Sequence, residues 1–237
     1  MQPAFRTALI IPALNEEPVI GLTLDALPAG FYAVVIVADN GSSDRTGEIA
    51  ASRGAVVVRE EQRGYGAACL KAIERLPDDI DVVVFMQADL SEDPNEVNAL
   101  VAPIQNGCAD LVLGSRTLAN SEPGALLPHQ VFGNWVATLL IRMLYGFRYT
   151  DLGPYRAIRR SALERLHMRD RNYGWTMEMQ VRAIQEGLRI VEVPVSYRVR
   201  AAGENKVSGN LRASLYAGWR IIVTLFRLRF AKHIASR

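Results

Sequence analysis

At 237 residues and 49% apolar composition, the chain has the material for one large buried core. Its formal charge of +2 hides an asymmetry: seven Lys or Arg and no acid from Lys206 onward leave about −5 on everything before it, so the tail is expected to have its own task. Cys69 and Cys108, in neither CxxC spacing nor a disulfide framework, fit a reducing cytosol; the apolar start breaks at Pro12, too early for a signal peptide, and Arg220, Arg227 and Arg229 cut the stretch nearest to a membrane span.

Short apolar runs rich in β-branched residues, at Ala8 to Ile11, Val34 to Val37, Val56 to Val58, Val82 to Phe85 and Leu111 to Leu113, alternate with helix-period segments. This predicts repeated βα units: a Rossmann-like α/β fold with a mostly parallel sheet flanked by helices, and ligands at the carboxyl ends of the strands. Asp44-Arg45-Thr46 opens one helix, Gly64 and Gly66 precede another, and Ser91-Glu92-Asp93-Pro94 carries the cap and early proline of a third. The loop from Ser115 to Gln130, with two prolines and a glycine, is expected to be mobile, and a helix follows on Phe132, Trp135, Val136, Leu139, Leu140 and Met143. Next come a turn at Thr150 to Pro154, a helix from about Met177 closed by Gly187, and a strand pair, Ile190 to Val193 and Val195 to Val199, hinged at Pro194. The last helix aligns Leu211, Leu215, Gly218, Ile222 and Leu225 opposite Arg220 and Arg227, which makes it amphipathic and basic. The chain divides into one domain over 1–209 and this tail over 210–237.

The first strand ends in Pro12-Ala13-Leu14-Asn15-Glu16-Glu17 instead of a glycine-rich fingerprint, which removes the main support for a dinucleotide oxidoreductase. The second ends in Asp39-Asn40-Gly41-Ser42-Ser43-Asp44, where Asp39 can accept an N–H from a nucleobase; the plainer alternative is a polar βα turn. The fourth ends in Gln87-Ala88-Asp89-Leu90-Ser91 and directs Asp89 into the same crevice. A divalent ion there would bridge diphosphate oxygens and offset charge on a leaving nucleoside diphosphate, although a lone Asp in that place is often only a helix cap.

In chain order these motifs, with Arg63-Gly64-Tyr65-Gly66-Ala67-Ala68, Gly114-Ser115-Arg116, Thr150-Asp151-Leu152-Gly153-Pro154-Tyr155-Arg156, Glu178-Met179, Glu192-Val193-Pro194-Val195 and Gly203-Glu204-Asn205-Lys206, resemble glycosyltransferase family two in its dolichol-phosphate mannosyltransferase-like branch. The resemblance covers nearly the whole chain. It implies the glycosyltransferase-A fold, a nucleotide-sugar donor, inversion at the anomeric carbon, a Mg or Mn ion and a polyprenyl-phosphate acceptor. Carried over by motif, Pro12, Asn15 and Glu16 line the nucleoside pocket, Asp39 holds base or ribose, and Gly66, Gln87, Ala88 and Asp89 complete the nucleotide-sugar site. Asp89, with Gln87, holds the metal. Arg116, Arg156 and Lys206 face phosphates, as guanidinium and ammonium groups suit. Asp151 is the acceptor-side acid, a base for a hydroxyl acceptor or an orienting group for a phosphate. Gln87 stands where the first acid of an Asp-x-Asp is expected, and Asn40 replaces a second acid. Two rivals stand beside this reading: the same chemistry on a soluble acceptor, favoured by the absence of a spanning segment, and, motivated by Gln87 and Asn40, a nucleotide-sugar binding protein without turnover.

The basic tail and the Trp135 helix suit a flat contact with an anionic membrane, on the cytoplasmic inner face, and the tail's apolar stripe suits packing onto the domain or a homodimer. Nothing resembles a module that reads nucleic acid. The donor's base and sugar stay open: Asp39 suits uracil or guanine, both of which present a ring N–H.

Overall fold

The computed structural model describes residues 5–119, 121–202 and 223–229. The first half is built as alternating units: β1 (Thr7–Ala13), α1 (Glu17–Asp25), β2 (Val34–Asp39), α2 (Thr46–Ser52), β3 (Val56–Arg59), α3 (Tyr65–Ile73), β4 (Val82–Phe85), α4 (Val97–Gln105) and β5 (Leu111–Ser115). Then come α5 (Pro128–Tyr145), β6 (Arg156–Arg159), α6 (Arg160–Leu166), α7 (Trp175–Gln185) and β7 (Ile190–Pro194). The seven strands run in the order β3-β2-β1-β4-β6-β5-β7, and all neighbours are parallel except β6, which is antiparallel to both β4 and β5.

The strands are continuous apolar runs because both faces of the sheet are covered. Along β1, Ala8 and Ile10 join the layer built with α3, α5, α6 and α7, while Leu9, Ile11 and Ala13 join the layer built with α1, α2 and α4. Each of these five residues is buried.

Five expectations need correction. Strand β6 and helix α6 arise where only a turn and a basic stretch were expected, because a four-residue strand with arginine at both ends carries no apolar run. Val195 to Val199 is not a strand; it makes one bridge, Tyr197 to Glu92, and runs along the loop after β4, with Arg198 N–H donating to the Ser91 carbonyl. Gly66 lies inside α3, and α5 begins at Pro128, taking the last residues of the expected loop. Helix α7 starts two residues earlier than expected, at Trp175.

Most of the expected tail helix, 210–222 and 230–237, lies outside the described residues, as does Lys206. Residues 223–229 are helical, with Leu225 and Leu228 buried in the core. The Tyr145 hydroxyl donates to the Leu225 carbonyl and the Gln185 amide to that of Leu228, so this stretch of the stripe packs on α5 and α7. Among the described residues no helix is long and apolar enough to cross a membrane.

Candidate active site

A cavity of about 490 Å3 opens at the carboxyl edge of the sheet. Strands β1, β2, β4 and β5 deliver their following loops there, and β6, being antiparallel, begins where its neighbours end, so the turn before it joins the same edge. Of the residues expected at the site, Pro12, Glu16, Gln87, Ala88, Asp89 and Arg116 line the cavity. Asn15, Asp39, Gly66, Asp151 and Arg156 are not among the lining residues.

On the β1–β2 side the backbone is shaped by side chains. Asn15 adopts φ 48, a conformation tolerated by its short polar side chain, and is held by its N–H on Ser42 Oγ and by its Oδ1 accepting Ser43 N–H at 2.8 Å. Asp39, expected to hold base or ribose, accepts Ser42 N–H at 2.8 Å and meets Arg59 at 3.3 Å, contacts that also fix the loop after β2. Its neighbour Asn40 reaches the wall, with Nδ2 donating to the carbonyls of Glu60 and Gln62 and Oδ1 accepting Gly64 N–H. Gly64 and Gly66 allow the 170–172 segment to lie against the start of α3: a Cβ on either would fall 2.0 Å from a carbonyl oxygen, of Arg171 and Asp170 respectively. The part of Gly66 is therefore close packing.

Beyond β4 the chain turns through Gln87, Ala88 and Asp89, with Leu90 at φ 57. The Ser91 hydroxyl links the two polar side chains, 2.6 Å from Asp89 Oδ1 and 3.1 Å from Gln87 Oε1. Underneath, Glu92 accepts Gln87 N–H at 2.7 Å through Oε2, while its Oε1 has no hydrogen-bond partner among the described residues. Burial pushes the Glu92 carboxyl up to about 8, with Asp89 adding to the rise and the Gln87 N–H and two arginines opposing it. Across the lip, Arg200 Nη2 lies 2.6 Å from Glu16 Oε2, and Nη1 lies 3.8 Å from Asp89 Oδ2.

No group of three or more His, Cys, Asp or Glu is placed to hold a metal among the described residues. The lip nevertheless offers an all-oxygen donor set, one carboxylate and one amide, which suits a hard cation that keeps water and takes its other ligands from a bound diphosphate.

At β5, Arg116 meets Asp151 three times: its N–H and Nε reach Oδ2 at 2.9 and 2.7 Å, and Nη2 reaches Oδ1 at 2.8 Å. Leu152 N–H donates to the same Oδ1, and the Arg116 guanidinium stands 5.0 Å over the Tyr197 ring. Glu192 of β7 supports the turn by accepting from the N–H groups of Thr150 and Asp151 and from the Thr150 hydroxyl. Arg156, expected to face phosphate, is fully buried: its guanidinium donates to the carbonyls of Gly153, Pro154 and Thr176, tying the turn to α7. As part of β6 its side chain enters the protein layer, and burial lowers its pKa.

Sequence reasoning missed Glu92, Tyr197 and Arg200. Glu92 was visible as a helix-start residue, Tyr197 lay in a segment expected to be a strand, and Arg200 lay one residue past its expected end.

A mostly parallel sheet with an oxygen-donor lip after β4 and a fixed arginine after β5 defines a glycosyltransferase of the glycosyltransferase-A fold. The family model for Glycosyl transferase family 2 matches residues 8–167, and the chain belongs to that family, in its dolichol-phosphate mannosyltransferase-like branch. It is 38% identical over 218 residues to an uncharacterized glycosyltransferase of Mycobacterium bovis, covering 90% of this chain and 96% of the relative. Undecaprenyl-phosphate mannosyltransferase of Micrococcus luteus is 33% identical over 221 residues, covering 87% and 89%. Among solved structures, glucosyl-3-phosphoglycerate synthase from Mycobacterium tuberculosis in complex with UDP superposes with a TM-score of 0.76 at 25% identity, covering 95% of this chain and 80% of that one. The same synthase has been solved with Mn2+, UDP-glucose and phosphoglyceric acid.

Proposed function

We propose that this glycosyltransferase moves one sugar from a GDP- or UDP-sugar to a polyprenyl phosphate, with inversion, at the cytoplasmic surface of a membrane. One observation carries the choice of acceptor. Both oxygens of Asp151, the acid expected to deprotonate a hydroxyl acceptor, already accept Arg116 and Leu152 donors. A phosphate acceptor arrives ionised and needs no such base, and an arginine held rigid by a carboxylate is a group made to orient it. The acceptor phosphate oxygen attacks the anomeric carbon as the bond to the diphosphate breaks, and the nucleoside diphosphate leaves.

Asp89, with Gln87, would hold a Mg or Mn ion, which supplies countercharge for the leaving diphosphate. Pro12, Glu16 and Asn40 wall the donor's nucleoside end, and Arg116 faces the acceptor end. Helix α5 supports the membrane reading. Gln130 in its first turn lines the cavity, while Phe132, Trp135 and Met143 expose 64%, 58% and 72% of their surface on the same helix. Lys206, outside the described residues, is assigned to the diphosphate by its motif alone.

The test is transfer of labelled sugar from GDP- and UDP-donors, with Mn2+, to a short polyprenyl phosphate, followed by organic extraction. Label in the organic phase is expected for one donor. Label transferred only to soluble phosphorylated acceptors would replace the lipid acceptor, and donor binding without transfer to anything would favour a non-catalytic protein. Asp89→Ala is expected to abolish metal-dependent donor binding in calorimetry without altering the fold.

A further inference from the structure

We infer that Arg200 is a built-in counter-cation for the metal lip, offsetting one of its two negative charges until a metal–nucleotide complex arrives. The inference rests on the metal role proposed for Asp89. The guanidinium bridges the two acids that line this end of the cavity, 2.6 Å from Glu16 and 3.8 Å from Asp89, with its side chain only 18% exposed. The main chain sets that place. Arg198 N–H donates to the Ser91 carbonyl and Ala201 N–H to the Asp89 carbonyl, so residues 197–201 lie along the 89–92 loop, and Nε of Arg200 is fixed on the Ala202 carbonyl. A guanidinium so held occupies the electrostatic position of a divalent ion beside Asp89, and the two positive charges compete. Gln87 sharpens the competition: with an amide where a second carboxylate would stand beside Asp89, the arginine offsets half of the charge that Glu16 and Asp89 would use to draw an ion in. The lip thus resists a bare metal ion and yields to one that brings diphosphate, because the incoming anion gives Arg200 a new partner.

The test is titration of the full chain with Mn2+, read by the electron paramagnetic resonance of the free ion, for wild type, Arg200→Gln and Arg200→Met, each without nucleotide and with saturating UDP or GDP. Without nucleotide, the neutral variants are expected to bind Mn2+ about fivefold more tightly than wild type, the scale on which one neighbouring like charge acts near a protein surface. With nucleotide present, the advantage is expected to shrink or reverse. Equal or weaker nucleotide-free binding in both variants, folded by circular dichroism, would overturn the inference while leaving the metal reading intact if nucleotide-dependent Mn2+ binding persists. Absence of Mn2+ binding in every protein, with either nucleotide, would overturn both.

Discussion

Asn40 occupies a position where the family resemblance leads one to expect an acid, and its amide group accounts for the exchange. Two donated hydrogen bonds, at 3.2 and 2.7 Å to the Glu60 and Gln62 carbonyls, hold the loop that carries Gly64 into the cavity wall. An aspartate has no donor to offer and would set a charge against both carbonyls, so Asn40→Asp should cost ~2 kcal/mol in urea unfolding. Asp151→Ala should cost more, ~3 kcal/mol, because it strands the mostly buried Arg116. Asp151→Asn separates orienting from proton transfer: turnover should fall with the shape of its pH–rate profile unchanged, whereas a base would take one limb of the profile with it. At this scale the sequence was informative about order and less so about depth. Pro12 at the end of β1, and Glu16, Gln87, Asp89 and Arg116 on strand-tip loops, lie where position in the chain dictates position at the site. Asp39, Asp151 and Arg156 belong to the same motifs, yet their side chains turn into the supporting layer, a choice made by neighbours far along the chain such as Thr176 and Glu192.

The loop before α3 shows how an element acquires its place. Ala67 N–H donates to the Arg171 carbonyl at 2.9 Å, a contact between segments a hundred residues apart that only a glycine-lined helix start permits. Gly66→Ala should therefore lower stability by at least ~2 kcal/mol and weaken donor binding, since Asn172 and Tyr173 of the displaced segment belong to the cavity wall. Thermal melts and donor titration check the two parts. The glycines were legible as punctuation, but their purpose was not, because the close approach is made by a non-local partner. The first five strands were legible in order and place from their apolar runs. Strand β6 was not: two arginines frame it, and it earns burial only by inserting between β4 and β5.

Over the whole molecule, the sheet is tied at the edge opposite the cavity by Asp110, which accepts Arg189 N–H, Nε and Nη2 and lies 3.7 Å from Arg159, so one carboxylate links β5 to the strands on either side of it. The hydrogen bonds of Arg189, chiefly, hold the Asp110 carboxyl down at about 2, against the opposing effect of burial. A carboxyl depressed in the folded state contributes stability above its unfolded pKa, near 4, and that contribution disappears as pH falls through about 2. Acid titration of Asp110→Asn should show lower stability at neutral pH and a shallower loss between pH 4 and 2 than wild type. The strand order also sets a timetable for synthesis. Residues 7–85 contain everything needed to pair β3, β2, β1 and β4, but the free side of β4 has no partner until residues 156–159 have been made, and β5 waits for the same strand. The part of the cavity built by the loops after β1, β2 and β4 can thus form on the ribosome well before the part that presents Arg116, and through that interval the nascent chain carries an unpaired apolar edge, Val82 to Phe85, open to pairing with another chain.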